Sequence, residues 1–219
     1  MEPLNQDKLV CVQLSSASSL AAGQYCDIAR LIYDTDPYIY PVLFGGGPEG
    51  MENALRLLPD LFISGRDAMF TKNNLFLLCN AEQIAGLILW HRGRMVWDPH
   101  ELLAAAGRRQ IRLDTCHVLL VGKEYIDSRY SGGEPAREEA ISLINVCVRK
   151  EARGCGAAKH MMERFIRMHG GKRMELAVLA DNLPAIGLYK KFGFHVVQET
   201  EGFSLGAQKP LCLIMERDD

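Results

Sequence analysis

Val146-Cys147-Val148-Arg149-Lys150-Glu151-Ala152-Arg153-Gly154-Cys155-Gly156-Ala157-Ala158 is the stretch from which the rest of the chain is read. An apolar strand ends, a turn with two glycines follows, and an amphipathic helix opens on small residues. The helix stripe is Ala158, Met161, Met162, Phe165 and Ile166, with the period of a buried face. In physical terms this junction is an anion cradle. The first N–H groups of a helix lack intrahelical partners, the macrodipole places positive potential there, and glycine lets a phosphate approach the backbone. Four cations, Arg149, Lys150, Arg153 and Lys159, stand against Glu151, a local charge of +3. Glycine turns between strand and helix are common, so the turn alone reads equally well as plain structure. Two nucleotide motifs do not fit. The G-K-S/T of a P-loop is missing, and the turn comes too late in the chain for a dinucleotide-binding βαβ fingerprint.

Working outward, residues 174–179 read as a strand leading into Asp181-Asn182-Leu183-Pro184, a capped helix start with proline in its first turn. The stripe Ala185, Leu188, Tyr189, Phe192 follows, Gly193 stops it, and strands near 194–198 and 211–216 close the chain. Residues 141–148 form the strand before the turn. Near the start, 9–14 is a strand, and Ser15, Ser16, Ser18 or Ser19 offers a cap to a helix with apolar positions 21, 25, 28, 29 and 32. Asp36-Pro37 ends that helix, because the residue before proline is pushed from the helical region. The loop Gly45-Gly46-Gly47-Pro48 precedes a second stripe, Met51, Ala54, Leu55, Leu58, Leu61 and Phe62. Apolar runs at 75–79 and 84–90 predict a hairpin of buried strands. Between 92 and 140, Asp98-Pro99 opens a helix stopped by Gly107; 115–129 reads as another helix, although 117–121 fits a strand equally. This order predicts an α/β (α+β) domain, one mixed sheet with helices on its faces.

The run Arg153-Gly154-Cys155-Gly156-Ala157-Ala158, followed by Leu179, Asn182, Ala185, Leu188-Tyr189 and Phe192-Gly193-Phe194, resembles the GNAT superfamily of acyl-CoA-dependent N-acyltransferases. The first segment is similar to that family's Q/R-x-x-G-x-G/A loop, with Arg153, Gly156 and Ala158 at the marked positions. The second is similar to its strand–Asn–helix–Tyr–Gly-Phe pattern. The two halves occur together and in order over residues 141–194. Lys150 stands where the family usually has proline.

The resemblance implies a mostly antiparallel sheet of about seven strands, splayed between the fourth and fifth, in a single domain spanning 1–219 with an insert at 92–140. It implies acetyl-CoA as acyl donor and no metal. The pyrophosphate would lie on the amides of Arg153, Gly154, Cys155, Gly156, Ala157, Ala158 and Lys159. The pantetheine would pair with the backbone of Val146, Cys147 and Val148, near Asn182, Ala185 and Tyr189. Tyr189 would protonate the departing thiolate as general acid, and direct transfer in a ternary complex leaves Cys155 a tolerated small residue. A core aromatic for Tyr189 and a helix cap for Asn182 are the purely structural alternatives.

The strand before the loop holds no Asp, Glu or His between 142 and 147, so a general base is not evident. Asn145 is the candidate for orienting a water or the amine. Asp34, Asp36, Glu52, Glu138 and Glu139 read as solvated surface charges. Tyr33, Asp34, Tyr38 and Tyr40 are the weaker candidates for a cationic acceptor, through ring faces and charge, against the alternative of an aromatic plug. Expected acceptors are primary amines of small molecules or peptides. A non-catalytic acyl-CoA-binding module is the competing reading.

Composition narrows the field further. The 219 residues are 48% hydrophobic and 24% charged, enough for a sizeable core. Twenty-five Lys and Arg against 27 Asp and Glu leave −2, with no global field for nucleic acid or an acidic membrane. No apolar run approaches a membrane span. The polar, acidic first residues are unlike a signal peptide. Seven cysteines without a C-x-x-C suggest neither a disulfide framework nor a zinc site. A reduced, cytoplasmic monomer or homodimer is therefore expected.

Overall fold

The computed structural model describes residues 9–81, 83–93, 97–130, 140–202 and 209–218, with the side chains of 124–130 left aside. Seven strands form one sheet: β1 (Leu9–Gln13), β2 (Leu75–Asn80), β3 (Gln83–Arg92), β4 (Ile141–Val148), β5 (Met174–Leu179), β6 (His195–Glu201) and β7 (Leu211–Arg217). Their spatial order is β1-β2-β3-β4-β5-β7-β6. Every pair is antiparallel except β4 with β5. The helices are α1 (Ala22–Tyr33), α2 (Ile39–Phe44), α3 (Gly47–Ser64), α4 (Pro99–Arg108), α5 (Thr115–Tyr130), α6 (Ala157–Met168) and α7 (Leu183–Lys191).

The central strands are apolar on both faces because both faces are covered. Leu75 and Leu77 of β2 pack into a core formed with α1 to α5. Phe76 and Leu78, their alternating neighbours, pack into a second core with α6 and α7. Phe165 of α6 anchors that second core, its ring 5.4 Å from Phe76 and 5.7 Å from Trp90.

Four local expectations are corrected. None of the serines caps α1; Ser15 and Ser18 close a turn on each other, and the Gln24 side chain accepts from Ala21 N–H at 2.9 Å instead. The stretch between Asp36-Pro37 and Gly45, to which the sequence assigns no helix, holds α2 at 39–44, with Asp36 Oδ1 accepting the N–H groups of Tyr38 and Ile39. Gly47-Pro48 does not break the chain but forms the first turn of α3, where proline's missing N–H costs nothing. Gly107 lies inside α4, which ends after Arg108. The open choice at 117–121 resolves as helix: α5 buries Val118 and Val121 and leaves Leu119 and Leu120 exposed.

Candidate active site

Parallel pairing of β4 and β5 stops after three residues, Ile141–Met174, Ser142–Glu175 and Leu143–Leu176. Beyond Leu143 the strands separate. A cleft opens between them, lined on one side by Ile144, Asn145 and Val146 and on the other by Ala177, Val178 and Leu179. β5 remains fully paired with β7, and β4 with β3, so the sheet parts at this seam alone among the described strands. Backbone groups left without a strand partner are strong donors and acceptors for an extended ligand.

At the end of β4 the chain turns into α6. Gly154 has φ +78° and Gly156 φ +82°, the left-handed region that favours glycine. The first internal bond of α6 runs from His160 N–H to Gly156 C=O at 2.9 Å, so the N–H groups of Ala157, Ala158 and Lys159 point out of the helix start. Space around Gly154 is open, since an added Cβ there would meet nothing within 4 Å. The charge count at this turn is smaller than the sequence suggests. Arg149 is ion-paired to Asp27 of α1, and Lys159 lies 3.6 Å from Glu163. Lys150 and Arg153 remain, and Arg153 Nε also donates to Val148 C=O at 3.3 Å. Backbone amides rather than side chains dominate the cradle.

Tyr189 projects from α7 into the cleft, 6% exposed, with no hydrogen-bond partner for its hydroxyl among the described residues. Burial, with a smaller push from nearby Cys147, raises its pKa well above the ordinary value. Burial also pushes the Cys147 thiol up to about 12. Both groups therefore stay protonated at neutral pH, a donor state for the phenol and an inert state for the thiol. Cys155 donates its thiol to Ala152 C=O at 3.1 Å. Asn182 also lines the cleft, and its Oδ1 caps α7 by accepting from Ala185 N–H at 3.3 Å.

Asn145 reaches the other face through a β-bulge. Leu89 opposes Asn145 while Trp90 opposes Leu143, so Ile144 is the extra residue. The bulge inverts the alternation of β4. Leu143 faces the α6 core, whereas Asn145 turns toward α1 and α2. There Tyr40 O–H donates to Asn145 Oδ1 at 2.8 Å, and Asn145 Nδ2 donates to Thr35 Oγ at 2.6 Å.

The acceptor candidates separate. Tyr38 and Tyr40 line the cleft, but Tyr33 and Asp34 do not. The Tyr33 hydroxyl donates to Gly45 C=O at 3.2 Å, and Asp34 caps the end of α1. Of the carboxylates set aside as surface charges, Asp36 does line the cleft, with Glu201 of β6 on its far side. Trp97 is a further wall residue that local pattern could not reveal, held by Asp67 across 30 positions. Glu138 and Glu139 lie outside the described residues.

Gly86 of β3 supports the cleft from behind. A Cβ there would sit 2.7 Å from Cys147 O and 2.8 Å from Val148 Cγ1. Gly86→Ala should therefore press β4 into the cleft, destabilise the fold by about 1–3 kcal/mol and weaken coenzyme A binding. Thermal melts with and without coenzyme A check both effects.

The described fold thus holds a sheet split at one parallel seam, a glycine turn at the end of β4 and a buried tyrosine in the gap. Residues 125–194 match the family model described as the Acetyltransferase (GNAT) family. L-amino acid N-acetyltransferase AaaT of Escherichia coli is 34% identical over 64 residues, 27% of this chain. The match spans 40% of that protein's length. Among solved structures, an N-acetyltransferase from Staphylococcus aureus Mu50 superposes with TM-score 0.59 at 15% identity, covering 94% of this chain and 99% of that one. A chain of the NatC complex bound to Gag peptide and CoA superposes with TM-score 0.51 at 13% identity, covering 97% and 99%. These structures share the fold. No helix among the described residues is long and apolar enough to cross a membrane.

Proposed function

We propose that the chain is a single catalytic domain that transfers an acetyl group from acetyl-CoA to a primary amine. The observation that carries this reading is the buried Tyr189 hydroxyl, without a hydrogen-bond partner among the described residues, in a cleft that begins where β4 and β5 part. The residues present fit the donor. Amides at the start of α6 suit the pyrophosphate, and the open edge of Val146, Cys147 and Val148 suits the pantetheine as an added strand. Asn182 can cap α7 through Oδ1 while its Nδ2 serves the same arm.

Acetyl-CoA supplies the activated carbonyl. The amine forms the C–N bond as the C–S bond breaks, and Tyr189 O–H gives its proton to the leaving sulfur. The surplus proton on nitrogen passes toward Asp36, whose Oδ1 is fixed by two amides while Oδ2 can receive. No covalent enzyme intermediate is required, in keeping with the protonated Cys147 and the committed Cys155 thiol.

The test is thiol release from acetyl-CoA in the presence of a broad amine panel, with product mass confirming N-acetylation. A chain that binds acetyl-CoA yet acylates nothing would instead be a coenzyme A-binding module. A chain that binds no coenzyme A at millimolar concentration would be neither.

A further inference from the structure

Resting on the acetyl-transfer reading, we propose that Trp97 is the specificity-determining residue of the acceptor half of the cleft. Its indole, positioned by Asp67, ends the space for the group that carries the amine and so limits that group's length.

The cleft is lined from both faces of the sheet. Tyr189 and Val146 belong to the core under α6 and α7, on the side of the glycine turn. Leu43, Met69, Trp97 and Val121 belong to the core under α1 to α5 and line the opposite half. Coenzyme A held at the start of α6 brings its thioester to Tyr189 from the first side. The body of the acceptor therefore lies toward the second.

There the indole is 3% exposed and fixed at two edges. Trp97 Nε1 donates to Asp67 Oδ2 at 3.2 Å. Asp67 is itself locked, because its Oδ1 accepts the N–H groups of Met69 and Phe70 at 2.8 Å each. The six-membered ring meets α5 at Gly122, where an added Cβ would lie 3.2 Å from Cζ3 and 3.4 Å from Cε3. Glycine at this position lets the helix back the ring closely. A side chain bonded at one edge and backed by a helix at another does not swing aside as an exposed aromatic does. It excludes atoms at a fixed depth, and each methylene beyond that depth meets overpacking instead of gaining burial. Asp67, 1% exposed, stands behind this wall and acts through the indole as a positioning residue.

The experiment measures kcat/KM for the unbranched primary amines from propylamine to decylamine, with the full chain and its Trp97→Leu variant. In the unaltered chain kcat/KM should fall by about 10-fold or more per methylene once the alkyl group reaches the indole. Trp97→Leu should move that fall about two methylenes longer, the volume of ring it removes. Trp97→Phe, a smaller deletion, should move it by about one, and it carries the test if the leucine variant does not fold. Asp67→Asn keeps an acceptor for the two amides but turns an NH2 group toward the indole N–H, which should blur the same limit. In a Trp97→Phe background it should add no further shift, the signature of a residue acting through another. A fall at the same length in both Trp97 variants, or no fall across the series, would overturn the proposal. Calorimetric titration of the coenzyme A-loaded protein with the same amines separates the two readings. A length limit in binding that moves with Trp97, without turnover, would defeat the transfer reading alone. Turnover with a limit indifferent to Trp97 would defeat this one.

Discussion

Tyr189→Phe should lower kcat by about 100-fold or more while coenzyme A binds as it does to the unaltered chain. The magnitude is that of one positioned general acid. The ring remains, so the packing of Tyr189 against Phe194, at 5.8 Å between centroids, is retained. The lost hydroxyl has no partner among the described residues, so no buried group is orphaned and the melting temperature should hold. The pH profile sharpens the test. Burial raises the pKa of Tyr189 above 10.0, so the phenol keeps its proton throughout the neutral range. Activity should therefore show no descending limb from this residue below about pH 10. An unchanged kcat would make Tyr189 a core aromatic and nothing more. Cys147→Ala, which removes a thiol that burial holds protonated, should cost far less turnover.

How far the sequence carried this picture depends on the distance over which each feature is decided. The strands at 75–79 and 84–90 were legible because both sheet faces are covered, which demands continuous apolar runs. The turn at Gly154 and Gly156 was legible because positive φ selects glycine locally. Asn145 could be named as an orienting residue, but not placed. Strict alternation from Leu143 puts it on the α6 face, and only the bulge at Ile144, a property of pairing with β3, turns it to Thr35 and Tyr40. The local +3 was overcounted for a related reason, since Arg149 meets Asp27 more than a hundred residues earlier. Trp97 and Asp67 form another such long-range pair. Helix α2 escaped notice because six residues are too few to show a period.

Gly50→Ala is the substitution with the largest expected effect on the fold, and its sign runs against helix propensity. Alanine within a helix should stabilise by about 0.5–1 kcal/mol when space allows. At Gly50 of α3 it does not. The new Cβ would sit 1.4 Å from Gly45 O and 2.5 Å from both Gly45 C and the Tyr33 hydroxyl. The first distance is that of a covalent bond, and its partner is backbone that no rotamer change can move aside. The turn from α2 into α3 must shift, along with the Asn53 Nδ2 to Phe44 C=O bond of 2.9 Å that closes it. A loss at or above the upper end of overpacking costs, about 3 kcal/mol, follows. Gly187→Ala in α7, where a Cβ meets nothing within 4 Å, supplies the opposite sign as control. Since α2 carries Tyr40, any Gly50→Ala protein that still folds should also show a raised KM for the amine while its affinity for coenzyme A is preserved. Chemical denaturation measures the first effect and amine-dependent kinetics the second. A Gly50→Ala chain as stable as its parent would mean that α2 and α3 do not meet as closely as Gly45 and Gly50 place them.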